Sequence, residues 1–217
     1  MKKYGSRINY GIILIVVGSI VGFIIENVRT CIIKDHCILR QGLLYGPFIP
    51  VYGAGLLILY LVYSKKIFKN KNIFIRIIVA FILGFFLGSL VEYIFSFAQE
   101  KIFGTISWSY AHLKYNIYGR ISLRHATYWG ILGVAFSVLI LPFLEKWKSK
   151  FDNKSTQLIL TIISVLFILD IAISSIACYR ATQRRNNIPP KSAVGRICDK
   201  YYPDEYINKI YTNARVK

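Results

Sequence analysis

Three acidic residues sit where an acid is expensive. Glu26, Glu92 and Asp170 lie within or at the end of runs of Ile, Leu, Val and Phe long enough to cross a bilayer. A carboxylate at the bilayer centre costs about 2.5–3.5 kcal/mol on insertion scales, and such residues face a bundle interior, find partners and mark binding paths. The spacing around two of them repeats. Gly18, Gly22 and Glu26 are four apart, and Gly84, Gly88 and Glu92 repeat that spacing 66 positions later. Residues at i, i+4 and i+8 share one helix face. The glycines therefore let a second helix approach closely, and each glutamate ends the contact stripe.

Cations gather toward the same end of the spans: Arg29, Arg40, Arg120, Arg124, His125 and Arg180. One reading is a polar cavity with Glu26, Glu92 and Asp170 at its base and arginines at its rim. The competing reading is that each acid pairs with one neighbouring Arg and fixes helix register. Between the third and fourth apolar stretches lie Trp108, Asn116, Arg120 and Arg124. The two arginines suit an anionic headgroup or phosphate at the interface. Trp108, Tyr110, Tyr115, Tyr118 and Asn116 would shape a lid over them, although interfacial anchoring explains these aromatics equally. The candidate substrate-binding set is thus Glu26, Glu92, Asp170, Arg120, Arg124, Asn116 and Trp108.

Other chemistries find no support. The chain has no GxxxxGK[ST] phosphate loop, so any ATP-driven work needs a separately encoded ATPase partner. It has no GxSxG, HExxH or paired CxxC. Cys31 and Cys37, with Asp35 and His36 between them, do not form a recognised metal spacing, and the cysteines read as free. No catalytic residue, metal or cofactor is expected.

Positioning these residues requires helices in a membrane. The 217 residues are 55% hydrophobic and only 18% charged, against roughly 25% charged in an average soluble domain. Yet 28 Lys+Arg outnumber 10 Asp+Glu, for a net charge of +18. That hydrophobicity excludes disorder, and four cysteines in so long a chain exclude a disulfide scaffold. The basic residues are dispersed between spans, which argues against nucleic acid and for membrane lipids as partners.

Five segments reach the roughly 20 apolar residues that a span needs: 10–28, 42–63, 73–98, 126–144 and 158–179. The fold class is an all-α polytopic bundle over residues 1–179, with spans 1–2 and 3–4 as a parallel repeat. Each of the first and third spans is followed by a Tyr-Gly pair, Tyr45-Gly46 and Tyr118-Gly119. Residues 180–217 form a polar basic tail with short amphipathic helices. The second segment opens with Gly42, Gly46, Pro47 and Pro50, a poor helix start. It is a full span kinked near Pro50, a broken or re-entrant start, or a loop leading into a helix near Val51.

Five spans place the N-terminus and the 65–72 and 145–154 loops on one face, with twelve Lys+Arg. The opposite face has seven in its two loops and nine in the tail. Short loops decide orientation, so the N-terminal face is expected to be cytoplasmic. Adding the tail's Arg180, Arg184, Arg185, Lys191 and Arg196, near the last span, evens the count.

The residues together resemble a known family. Gly22 to Glu26, the run Gly46-Pro47-Phe48-Ile49-Pro50-Val51-Tyr52-Gly53, Glu92, the Trp108–Leu123 loop and Trp129-Gly130 are similar to the ABC-transporter permease family of bacterial membrane proteins, the type IV or CmpB-like group. The tail fits too, in Arg184-Arg185, Ile188-Pro189 and Tyr202-Pro203-Asp204-Glu205. Where that family tends to read Trp-Asp-Tyr-Ser, this chain has Trp108-Ser109-Tyr110-Ala111, which counts against a cation-binding role for the loop. The resemblance implies a transport subunit in a bacterial cell membrane. A membrane-embedded enzyme or binder acting on a lipid or envelope intermediate, and a scaffold or sensor, stand as alternatives.

Overall fold

A computed structural model describes residues 2–34, 39–65, 68, 71–147 and 154–217. In chain order, α1 is Lys2–Lys34, α2 Pro50–Tyr63, α3 Ile73–Phe103 and α4 Leu123–Ala135. A π-helical turn, Phe136–Ile140, carries α4 into α5, Leu141–Trp147. Then follow α6 Lys154–Arg185, α7 Ala193–Tyr201 and α8 Asp204–Ile210. Two short antiparallel ladders pair β1 (Thr105–Ile106) with β4 (Arg215–Val216) and β2 (Asn116–Ile117) with β3 (Ile121–Ser122).

Among the described residues four stretches are long and apolar enough to cross a membrane: Tyr10–Ile32, Ile73–Phe103, Leu123–Lys146 and Lys154–Arg185. The second expected span differs. Its helix has only 14 residues, about 21 Å at 1.5 Å per residue, short of the roughly 30 Å hydrocarbon core. Residues 42–49 are irregular, and the helix begins at Pro50, where a missing N–H costs nothing. Gly46 takes φ +75° to turn the chain, a conformation that disfavours any side chain.

Irregular backbone at membrane depth must be satisfied by protein, and here it is. Ile49 N–H donates to the Ser19 carbonyl of α1 at 3.0 Å and Gly42 N–H to the Phe48 carbonyl at 2.9 Å. Leu44 N–H donates to Ser174 Oγ at 2.8 Å, and Tyr45 N–H to Asp170 Oδ1 at 3.2 Å. Leu43 and Phe48 then pack against Val16 of α1 and Phe167 of α6.

The bundle is two antiparallel helix pairs, α1 with α2 and α3 with α4, with α6 laid alongside. Between the pairs Tyr63, fully buried, donates to the Ala80 carbonyl at 2.7 Å among Leu59, Phe136 and Leu141. The Arg76 guanidinium donates to the Ser137 carbonyl in the π-helical turn at 2.9 Å. Helix α6 runs unbroken beyond residue 180, and the tail folds back onto it. Arg180, buried, is held by Asp199 at 2.9 Å and by the Ile188 carbonyl at 2.8 Å. Arg184 joins Asp199 at 2.7 Å and Asp204 at 2.6 Å.

Candidate functional site

The glycine triplets of α1 and α3 do the same work against α2 and α4. A methyl group on Gly18 would stand 2.9 Å from the Gly53 Cα, and one on Gly84 3.0 Å from the Gly133 Cα. One turn on, Gly22 leaves room for the ring of Tyr52, and Gly88 for the ring of Trp129. Each aromatic ring then reaches the glutamate that ends its stripe. Tyr52 donates its hydroxyl to Glu26 Oε1 at 2.7 Å, and Trp129 donates Nε1–H to Glu92 Oε2 at 2.9 Å. The two rings touch across the boundary between the pairs, with centroids 5.8 Å apart. Gly55 of α2 gives Trp129 the space to do so.

The two halves then diverge. Glu26, with 17% of its side chain exposed, pairs with Arg40 at 3.0 Å and with Arg29 at 3.8 Å. Asn27 fixes the Arg40 backbone on both its N–H and C=O sides. Glu92 is only 7% exposed and takes both its hydrogen bonds from neutral donors, Trp129 and the Tyr110 hydroxyl at 2.7 Å. Burial, followed by the Glu92 charge, holds the Tyr110 phenol well above its ordinary range, so it stays a donor. Its ring stacks on His125 at 3.8 Å. His125 Nδ1 meets Ser122 Oγ at 2.8 Å, and its buried Nε2 has no hydrogen-bond partner among the described residues.

Of the residues picked out from sequence, the structure brings Glu26 and Glu92 together around this aromatic centre. Asp170 is placed elsewhere, accepting from Tyr45 N–H and from Ser174 Oγ at 3.0 Å. Arg120 is buried rather than at a rim. It pairs with Glu100 at 2.6 Å and lies over Tyr93 and Phe97, centroids 5.6 and 5.3 Å away. Trp108 donates to the Arg120 carbonyl, and Asn116 closes the turn by accepting from Gly119 N–H and donating to the Leu113 carbonyl. Arg124 is exposed and lines a separate cavity. Gly46 and Gly119 share a left-handed conformation, so the Tyr-Gly pairs repeat as turns.

Tyr52 and Trp129 stood out in the sequence only as parts of the family-like runs, and Tyr110 as a lid or belt aromatic rather than as a partner of Glu92. The signal that would have found the first two is the aromatic-Gly pair in each return helix, Tyr52-Gly53 and Trp129-Gly130. Cys31, taken as free, is disulfide-bonded, while Cys178 and Cys198 are free. Asp35, His36 and Cys37 lie outside the described residues. Among the described residues no group of three His, Cys, Asp or Glu side chains gathers in a way that could hold a metal ion.

A family model described as "Putative ABC-transporter type IV" matches residues 13–175. That range takes in α1 from residue 13 onward, α2, α3, α4, both glutamates and Asp170. No curated protein matches the chain, and no solved structure does.

Proposed function

The chain belongs to that ABC-transporter family, and from this premise we propose that it is a permease-type subunit of a transport complex. In this reading the Glu26–Tyr52–Trp129–Glu92 centre contacts the substrate, and ATP hydrolysis comes from a separately encoded partner. The observation that carries the reading is the pair of repeat-related acids, each held by an aromatic donor, at the boundary between two helix pairs. Parallel-repeat transporters place their sites at such boundaries, and acids kept there against their insertion cost default to a functional role. Tyr110 and His125 close the centre on one side, and Arg29 and Arg40 neutralise its more exposed acid.

The same reading puts the N-terminus in the cytoplasm of a cell membrane. The Lys-rich loops favour it, and so does the disulfide-bonded Cys31 at the far end of α1, since disulfides persist in oxidising compartments. The test is purification from native membranes in mild detergent. The expected result is a stoichiometric P-loop subunit whose ATP hydrolysis in proteoliposomes depends on this chain and falls at least tenfold with Glu92→Gln. Intact chain recovered without any ATPase subunit, or hydrolysis indifferent to both Glu26→Gln and Glu92→Gln, would sink the proposal.

A further inference from the structure

We propose that the cavity beside the start of α4 binds the phosphate of an anionic phospholipid headgroup. The cavity, about 330 Å³, is bordered by Lys114, Tyr115, Ser122, Arg124 and Thr127, with Leu113 and Leu123 completing its wall. Two cations, Lys114 and Arg124, therefore border a space with no carboxylate in its lining, while the Ser122 hydroxyl is bonded to His125 and the Thr127 hydroxyl donates to the Leu123 carbonyl. Neither Lys114 nor Arg124 has an ion pair among the described residues, in contrast to Arg120, which Glu100 neutralises. Lys114 Nζ lies 5.5 Å over the Tyr115 ring.

The surroundings favour a lipid over a free anion. The cavity opens where the apolar stretch Leu123–Lys146 begins, with Ile117, Leu123 and Tyr128 all more than half exposed beside it. A phosphate between Arg124 and Lys114 would place acyl chains along that apolar surface. Arg suits a planar, bidentate grip on phosphate, and Lys adds a point charge. A space of 330 Å³ falls at the lower end of small-molecule sites. This inference does not rest on the transport reading, because it is carried by Lys114 and Arg124, which make no contact with Glu26 or Glu92 among the described residues.

The experiment is native mass spectrometry of the full chain, titrated with phosphatidylglycerol, with phosphatidylcholine and with water-soluble glycerol phosphate. Phosphatidylglycerol is expected to bind in preference to phosphatidylcholine, and Lys114→Gln with Arg124→Gln to weaken it at least tenfold. Both side chains are exposed, so the double variant should remain monodisperse. Arg196→Gln, an exposed cation on α7, serves as the control and should leave binding within twofold. Unchanged binding in the double variant overturns the proposal. An equal loss with Arg196→Gln also overturns it, by assigning the effect to net charge. Displacement of the lipid by glycerol phosphate at equal concentration would assign the cavity to a free anion and overturn the lipid occupant.

Discussion

Tyr52 and Trp129 each give a membrane-embedded carboxylate the hydrogen bond that water would give it at a surface, but the two acids are not equally served. Glu26 keeps Arg40 if Tyr52 is lost, so Tyr52→Phe should cost only about 0.5–1.5 kcal/mol. Trp129→Phe takes one of two donors from a carboxyl that is 7% exposed and leaves a void against Gly88 and Gly55. A cost of about 2–4 kcal/mol is expected. Unfolding midpoints of the two variants in detergent would check the order, and equal shifts would contradict the asymmetry. A second comparison isolates close helix approach. Gly53→Ala drives a methyl into the Ile15 carbonyl, a backbone atom that cannot step aside, whereas Gly11→Ala meets only the Leu57 side chain at 3.5 Å. The first should lose about 1–3 kcal/mol by overpacking, and the second close to nothing by the same measurement.

The irregular 42–49 segment and the returning tail are the elements that α6 holds. Asp170 and Ser174 accept the backbone donors of Tyr45 and Leu44, so Asp170→Ala takes the acceptor from a partly buried N–H at a cost of about 0.5–1.5 kcal/mol. Hydrogen exchange should quicken at residues 43–46 and stay unchanged in α3 and α4. Uniform quickening would mean that Asp170 supports the whole bundle instead. The tail is tied by charge. Hydrogen bonds from Arg180, then Arg184, hold the Asp199 carboxyl below its usual range. A depressed carboxylate contributes stability that is complete above its unfolded value, near 4, and is lost as pH falls through the lower folded value. The tail should therefore stay docked at neutral pH and loosen only in strong acid. Asp199→Asn should loosen it at pH 7, read as exchange across residues 193–210. A tail equally protected in that variant would show that the Leu44–Ala177–Ile207 cluster suffices.

Orientation is a property of the whole molecule. A membrane-impermeant maleimide should label Ser109→Cys in intact cells and reach Lys65→Cys only after lysis. The reverse pattern would overturn the proposed cytoplasmic N-terminus. Much of the architecture is legible in the chain because it is local. Runs of apolar residues, compared with bilayer thickness, establish a helical membrane bundle, and i, i+4, i+8 spacing shows which face of α1 and α3 is a contact. Pro50 and Gly46 mark a poor helix start, and the structure resolves it as irregular backbone before a short helix. What one chain position cannot show is rotation about a helix axis relative to another helix. Span direction places Glu26, Glu92 and Asp170 toward one side of the bilayer, which is why they read as one group. Packing turns two of them toward Tyr52 and Trp129, and the third toward the backbone of Tyr45. The same holds for Arg120 and Arg124, four residues apart in sequence. One is drawn under the loop by Glu100 and two rings, while the other lines a cavity beside the start of α4. By itself the sequence determined the membrane bundle and its repeated contact stripes. Only the tertiary structure decided which of its acids meet, because helix rotation depends on side-chain packing between segments distant in the chain.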